Sequence, residues 1–194
     1  MKKNIGAFPL LYPIPIVLIG SCNEDKINFT TIGDLAIMGV KPALITISLL
    51  ESHLSTSNIL LSKTFSVNIP SFDAIAKVDY CGMVSGNDTD KASLFNVFYG
   101  EDPKIPLIEE CPVNMECEVI KHFIYERRNI FIARINHTWL EDKLAPQSTS
   151  NAIPSLKDLN PIIYSMDNHY YSIGDECGKG YQEGKKYLNN HLGE

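Results

Sequence analysis

The sequence predicts a mainly β protein, an antiparallel barrel that carries a few short inserted helices. Three observations support this fold class. Most apolar segments are short and are bounded by Pro, Gly, Asn or Asp, as strands of antiparallel proteins are. Few segments have the length and periodicity of a long helix. The glycine-rich motifs GxGxxG and GxxxxGK[ST], which open nucleotide-binding parallel sheets, do not occur.

The predicted strands dominate the first two thirds of the chain. They are residues 14–21, 27–32, 43–49, 65–69, 116–125, 129–140, 162–166 and 169–173. The first two lie close enough to pair as a hairpin, and the two longest form a second hairpin across a charged turn. Pro70 ends the fourth strand, because proline has no N–H to donate to a strand ladder.

Three short helices are predicted between these strands, at residues 57–63, 73–78 and 91–98. Asp88 or Asp90 could cap the third helix, because a carboxylate accepts the free N–H groups of a first turn. No repeat or internal boundary interrupts the pattern. We therefore expect a single domain over residues 1–194, with a core at about 10–175 and a polar C-terminal arm at about 176–194.

Charge and composition exclude several functions. A net charge of −6 and a pI near 5.4 argue against a nucleic-acid or anionic-membrane partner. The apolar run 14–19 is too short to span a bilayer and contains Pro15. It also lacks the long apolar region of a signal peptide, so a cytoplasmic location is expected. Five dispersed cysteines without CxxC, and histidines without HxxxH, predict no metal site.

A cluster of hydroxyls and one histidine marks the predicted start of the first helix. It comprises Ser52, His53, Ser55, Thr56 and Ser57. A helix N-terminus presents unpaired N–H groups and the positive end of a dipole, and therefore holds phosphate readily. An ordinary capped helix explains one of these hydroxyls but not all of them. The segment indicates a phosphate site.

Two other polar segments suit a ligand. Asn28 and Thr30 face one side of a strand and Thr31 the other, where amide and hydroxyl groups could contact a planar heterocycle. Ordinary strand and turn residues would give the same pattern. The loop 85–91 contains Gly86 and could bring Lys91 to a phosphate, although this stretch alone favours a solvent-exposed loop and helix cap.

Taken in order, these motifs resemble the flavin reductase-like, or flavoredoxin, family. The resemblance covers about residues 10–175. It is carried by Tyr12-Pro13-Ile14-Pro15-Ile16-Val17-Leu18-Ile19-Gly20, Asn28-Phe29-Thr30-Thr31, Lys41-Pro42-Ala43-Leu44-Ile45-Thr46-Ile47-Ser48, Ser52-His53-Leu54, Phe65-Ser66-Val67-Asn68-Ile69-Pro70, Ser85-Gly86 with Asp90-Lys91, Pro161-Ile162-Ile163-Tyr164 and Tyr170-Tyr171-Ser172-Ile173-Gly174.

The resemblance implies an FMN-binding split β-barrel of antiparallel Greek-key type. It also implies a homodimer with the flavin near the subunit interface. If FMN binds, the cofactor carries the chemistry, so we expect no indispensable catalytic side chain. By position, it implies that Asn28, Thr30 and Thr31 contact the ring or ribityl chain, and that Asn68, Ile69 and Pro70 lie beside the ring. The implied phosphate side consists of Ser48, Ser52, His53, Leu54, Ser55, Thr56 and Lys91.

Two departures from the family pattern concern charge and backbone. Relatives often carry Pro-Pro where this chain has Lys41-Pro42, and many have an arginine in the phosphate loop. Here the nearest cationic candidates are His53 and Lys91. We therefore expect weaker or differently arranged phosphate binding.

The leading hypothesis is a flavoprotein oxidoreductase that moves electrons from a reduced nicotinamide through FMN to a flavin or another acceptor. The alternative is a non-catalytic FMN electron carrier that receives electrons from a redox protein partner, since no nicotinamide fingerprint is present. A third hypothesis, supported by the missing arginine, is a barrel-shaped binding module that has lost the cofactor.

Overall fold

The computed structural model describes residues 1–24, 26–145 and 153–188. The strands are β1 (Ile14–Pro15), β2 (Val17–Asn23), β3 (Lys26–Ile32), β4 (Leu35–Val40), β5 (Ala43–Leu50), β6 (Thr64–Ile69), β7 (Val97–Tyr99), β8 (Pro106–Ile108), β9 (Val113–Tyr125), β10 (Arg128–Leu140), β11 (Ile163–Ser165) and β12 (His169–Tyr171). The helices are α1 (Leu54–Ser62), α2 (Ile75–Met83), α3 (Leu156–Leu159) and α4 (Lys185–Leu188).

The central element is a seven-stranded sheet in the order β3-β2-β6-β9-β10-β5-β4, and its neighbouring strands are antiparallel. A three-stranded sheet, β1-β11-β12, and the pair β7-β8 lie beside it. The predicted hairpins β2-β3 and β9-β10 are both present. The mainly β, antiparallel fold class is therefore confirmed.

Two apolar clusters form the core on either side of β2. Ile19 belongs to the cluster that also contains Phe65 and Phe131, whereas its neighbour Leu18 joins Phe29 in the other. Successive side chains of a strand point to opposite faces, so β2 is buried on both sides. The second cluster includes Val78 of α2 and thereby fixes this helix against the sheet.

The predicted helix at residues 91–98 is wrong. The chain makes only a 3-10 turn at Ala92–Leu94 and then enters β7, which pairs with β8. The reason is long-range pairing: the backbone groups of this segment bond to a strand that begins at Pro106, which local periodicity does not reveal. Strand β4 was also not predicted, although it pairs along β5.

Other boundaries differ by a few residues. Helix α1 begins at Leu54 rather than at residue 57, and α2 runs to Met83 rather than ending at residue 78. The C-terminal arm predicted at about 176–194 is described only to residue 188, and its last six positions lie outside the described residues. Within the part of the chain that is described, no helix is both long and apolar enough to cross a membrane.

Candidate functional site

A cavity of about 370 Å³ lies where the start of α1, strand β3 and the end of α2 meet. The loop that follows α2 closes its remaining side. The lining residues are Thr30, Thr31, Ser52, His53, Leu54, Cys81, Gly82, Met83, Val84, Ser85, Gly86, Asn87 and Lys91. We call this cavity the central pocket. It brings together six of the residues proposed from the sequence, namely Thr30, Thr31, Ser52, His53, Leu54 and Lys91.

The N-terminus of α1 opens into the central pocket. His53 is the N-cap residue in an extended conformation, and its side chain makes no capping hydrogen bond. The amides of Leu54 and Ser55 have no acceptor among the described residues, and the first turn contains no acidic residue. Free N–H groups at the positive end of a helix dipole attract an anion. This end of the pocket therefore suits a phosphate.

Lys91 lies at the base of the same pocket. Its side chain is only 1% exposed, and its Nζ donates to Cys81 O at 3.0 Å, Val84 O at 3.3 Å and Thr30 Oγ1 at 3.3 Å. The two carbonyls belong to the last turn of α2 and its C-cap, which a cation stabilises. Lys91 thus ties α2 to β3 and places a positive charge beneath the anion-binding end.

Burial governs the ionisation of the groups around the pocket. It lowers the pKa of Lys91, with a smaller opposing effect from Cys81. It raises the pKa of the Cys81 thiol to about 11, against the opposing effect of Lys91. Among the described residues that line the pocket there is no carboxylate. The pocket is therefore positive or neutral, but never negative, at neutral pH.

His53 is held as a neutral imidazole. Burial lowers its pKa, and the charges of Lys91 and Arg128 lower it further. Its Nδ1 is buried without a hydrogen-bond partner in the described structure. An unpartnered buried nitrogen is costly unless a ligand or water meets it. His53 is thus available to exchange a hydrogen bond with whatever occupies the pocket.

This pKa shift predicts a pH dependence of folding. The unfolded chain binds the His53 proton near the ordinary pKa of 6.5, whereas the folded chain binds it only at lower pH. The free energy of unfolding should therefore fall as pH decreases from 6.5 toward the folded-state pKa. We expect urea denaturation of flavin-free protein to show a flatter pH dependence in His53→Gln. Equal slopes in both proteins would contradict a shifted His53.

Asn28 joins three elements beneath the pocket. Its Nδ2 donates to Ser55 Oγ at 2.8 Å, and its Oδ1 is buried with no partner among the described residues. A Cβ on Gly86 would lie 2.2 Å from that Oδ1. Only glycine therefore lets the loop approach β3 so closely. Asn28 and Ser55 adjoin the pocket without lining it, so they support it.

Two other proposed residues, Thr31 and Thr56, have hydroxyls that donate within the protein, and Ser48 lies away from the pocket. Thr31 lines the pocket but donates to Val78 O at 2.5 Å. Thr56 is buried and donates to Leu50 O at 2.7 Å, where it fastens the first turn of α1. Ser48 lies within β5, where its amide donates to Asp34 O. The structure does not bring Ser48 or Thr56 into the lining of the pocket.

Asn68, Ile69 and Pro70 also lie outside the pocket lining. Asn68 Nδ2 donates to Leu18 O and Ser66 Oγ, and its Oδ1 accepts from the Ile108 amide and from Asn114 Nδ2. All its hydrogen-bonding positions are occupied, and its side chain is fully buried. Asn68 therefore joins β2, β6, β8 and β9, and a ligand would have to displace one of these partners.

The sequence interpretation assigned no site residue to the end of α2, although the Cys81 thiol could lie near a flavin or, more simply, pack in the core. Residues 81–84 form one wall of the pocket, and their sequence, Cys-Gly-Met-Val, has no polar pattern that would indicate a binding site. A second cavity of about 310 Å³ adjoins that wall and shares Thr31, Gly82 and Met83 with the central pocket. Tyr164 and Tyr170 line its far side. Together the two cavities form one candidate site, with a polar end at the start of α1 and a more aromatic end at Tyr164 and Tyr170.

Comparison with known proteins decides the family. The family model of the flavin reductase-like domain matches residues 10–174. The chain belongs to this family. Its antiparallel fold is that of split-barrel flavin reductases, and the family makes it a flavin-related redox protein. The resemblance deduced from the sequence motifs is confirmed.

Solved structures support the same assignment. A flavoredoxin from Methanosarcina acetivorans superposes with a TM-score of 0.87 and 32% identity, over 96% of this chain and 98% of that one. A flavoredoxin of Desulfovibrio vulgaris (Miyazaki F) gives 0.86 and 26%, over 95% and 100%. An FMN-binding protein from Thermus thermophilus gives 0.75 and 19%, over 93% and 99%, and shows the shared fold alone.

Proposed function

We propose that the protein is an FMN-dependent oxidoreductase that accepts electrons from a reduced nicotinamide and passes them to a flavin or another acceptor. The observation that carries this proposal is the central pocket of a flavin reductase-like chain. There, the free amides of α1 face the same cavity as the buried cation Lys91. FMN is the flavin that bears a single phosphate, for which this end is suited.

The described residues fit such a cofactor. The Leu54 and Ser55 amides, Ser52 and His53 would hold the phosphate, and the lining contains no carboxylate to repel it. Thr30 lines the central pocket, and Thr31 lines both the central pocket and the second cavity, where the ring system would be accommodated. When bound, FMN supplies the hydride and electron transfer chemistry, and the protein supplies binding and orientation.

The visible spectrum of the purified, untagged protein tests this proposal. We expect flavin absorbance as purified, or saturable binding when FMN is added to flavin-free protein. The loaded protein should then oxidise NADH or NADPH. Protein that neither carries nor binds FMN would overturn the proposal and favour a binding module without cofactor.

An electron carrier is the second candidate. The titratable groups that line the described pocket are His53, Cys81 and Lys91, and burial shifts the pKa of each toward its neutral form. No carboxylate lines the described pocket, so none is present there to act as an acid or base on a substrate. Stopped-flow mixing of FMN-loaded protein with each nicotinamide separates the two candidates. A carrier stays oxidised until its protein partner is supplied.

The phosphate assignment makes its own prediction. Ser52→Ala combined with His53→Ala should weaken FMN binding by about threefold to tenfold, the effect of losing one or two hydrogen bonds. Riboflavin, which lacks the phosphate, should lose less affinity. Fluorescence titration of both flavins measures the difference. Ser57→Ala, an exposed serine further along α1, is the matched control. Equal losses for both flavins would refute the phosphate role.

We also propose a homodimer. Edge strand β4 exposes Ile37, Met38 and Val40, and the β9-β10 hairpin exposes Ile124 and Tyr125. Apolar side chains on an unpaired sheet edge favour association with another chain. Light scattering after size exclusion should give twice the mass of the chain, and Ile37→Glu should lower it toward the monomer. A monomeric wild-type protein would contradict the proposal.

A further inference from the structure

A second polar cavity lies at the opposite end of α1 from the central pocket. Its volume is about 500 Å³, within the range of small-molecule sites. Helix α1 has nine residues, so its two ends are about 13 Å apart along the axis. Ser62 and Lys63, at the C-terminal end of the helix, line the cavity. The two sites are therefore distinct.

The lining of this cavity is strongly acidic. Its carboxylates are Glu101, Asp102, Glu116 and Glu118, against the single ammonium of Lys63 and the imidazole of His137. None of the four carboxylates has an ion-pair partner within the described ranges. The C-terminal end of the α1 dipole adds further negative potential. Such a cavity attracts a cation.

The unpartnered, buried carboxylate oxygen of Glu116 is the independent observation that points to a ligand. Its side chain is 1% exposed, and Oε2 has no hydrogen-bond partner among the described residues. Only Oε1 is used, as the acceptor of the Asp102 amide at 3.2 Å. Thr64 Oγ1, in the same lining, is also buried and unpartnered. A buried carboxylate oxygen without a donor is costly, so a donor is expected to meet it.

The arrangement favours an organic ammonium over a metal ion. The described residues hold no set of three His, Cys, Asp or Glu side chains that could share one metal ion. An ammonium offers three N–H donors to dispersed oxygens. Glu116 is buried, whereas Glu101 and Glu118 are exposed. This spread of charge from the interior to the surface matches two ammonium groups joined by a flexible chain.

We propose that this cavity binds a linear polyamine. One ammonium group donates to Glu116 Oε2 and Thr64 Oγ1, and the next is neutralised by the exposed carboxylates. The proposal does not depend on the flavin, because the lining shares no residue with the central pocket. Failure of either proposal would therefore leave the other intact.

Titration calorimetry of the full chain with putrescine, spermidine and MgCl2 tests the site. We expect saturable binding of an amine at one site per chain, and weaker binding of Mg²⁺. Glu116→Gln keeps an acceptor for the Asp102 amide but removes the charge, so it should weaken amine binding at least about tenfold. Glu118→Gln, at an exposed position, should weaken it severalfold. The exposed Glu109→Gln is the matched control and should change it less than about twofold.

Tryptophan fluorescence supplies a second readout. Trp139 is the single tryptophan of the chain. A Cβ on Gly100 would lie 2.6 Å from Trp139 Nε1 and 2.5 Å from Glu116 Oε1, which places the indole beside this carboxylate. Amine binding should therefore change the emission. No saturable binding of either amine, tighter binding of Mg²⁺, or equal losses in Glu109→Gln and Glu118→Gln would overturn the proposal, and the Glu118 variant decides even if Glu116→Gln fails to fold.

Discussion

Lys91→Met is expected to weaken FMN binding by roughly tenfold to a hundredfold, the effect of losing an interaction with a charged group. Lys91 is the one lysine or arginine among the described residues that line the central pocket. Methionine keeps the length of the apolar stem but removes the charge. Riboflavin affinity should change less than about threefold, because its ribityl chain carries no anion.

Parallel fluorescence titrations with FMN and riboflavin measure this effect. Lys104→Met, which removes an exposed lysine outside the central pocket, is the matched control. Lys91 also binds the carbonyls of Cys81 and Val84. Circular dichroism of the variant therefore has to confirm that α2 is intact. Equal losses for the two flavins would mean that Lys91 shapes the pocket without attracting the phosphate.

Asn68→Ala is expected to lower the free energy of unfolding by about 3–5 kcal/mol, an unusually large value for one substitution. The change leaves the Ile108 amide, Asn114 Nδ2 and Leu18 O without the partners that Asn68 gives them. Each group is buried within the sheet, where water does not replace the lost partner.

Urea denaturation followed by circular dichroism checks this prediction. Asn136→Ala removes an exposed amide from β10 and should cost less than about 0.5 kcal/mol. A loss of only that size in Asn68→Ala would show that the four hydrogen bonds do not stabilise the fold. A small loss of stability combined with a large loss of FMN affinity would instead assign Asn68 to the cofactor.

Local sequence patterns were sufficient to predict the strands that pair with the next strand along the chain. The β2-β3 and β9-β10 hairpins follow from apolar runs separated by a short turn, because the pairing partner is adjacent in the chain. Strands β7 and β8 escaped prediction because each has three residues and no short turn joins them, as a short turn joins the equally short β11 and β12. A segment so short becomes a strand only when a partner elsewhere in the chain satisfies its backbone groups.

The residues of the candidate site likewise include some that the sequence could predict and some that it could not. Ser52 and His53 were predictable, because an anion site at a helix start depends on neighbouring residues and on the dipole. The occupation of every hydrogen-bonding position of Asn68 was not predictable, since its partners come from three other segments of the chain. Cys81 and Gly82 line the pocket through the packing of α2 against β3. The side chains of Cys81 and Gly82 do not by themselves indicate that these residues line the pocket.

The sequence by itself determined the antiparallel class, the family resemblance and the helix start that faces the pocket, because each depends on residue order over short distances. Only the tertiary structure decided that Lys91 is buried and bonded to α2, and that Asn68 belongs to the core. It also decided that Glu116 keeps an unpartnered oxygen in an acidic cavity. Burial and hydrogen-bond partners arise from segments that are distant in the chain, and the folded structure alone brings them together.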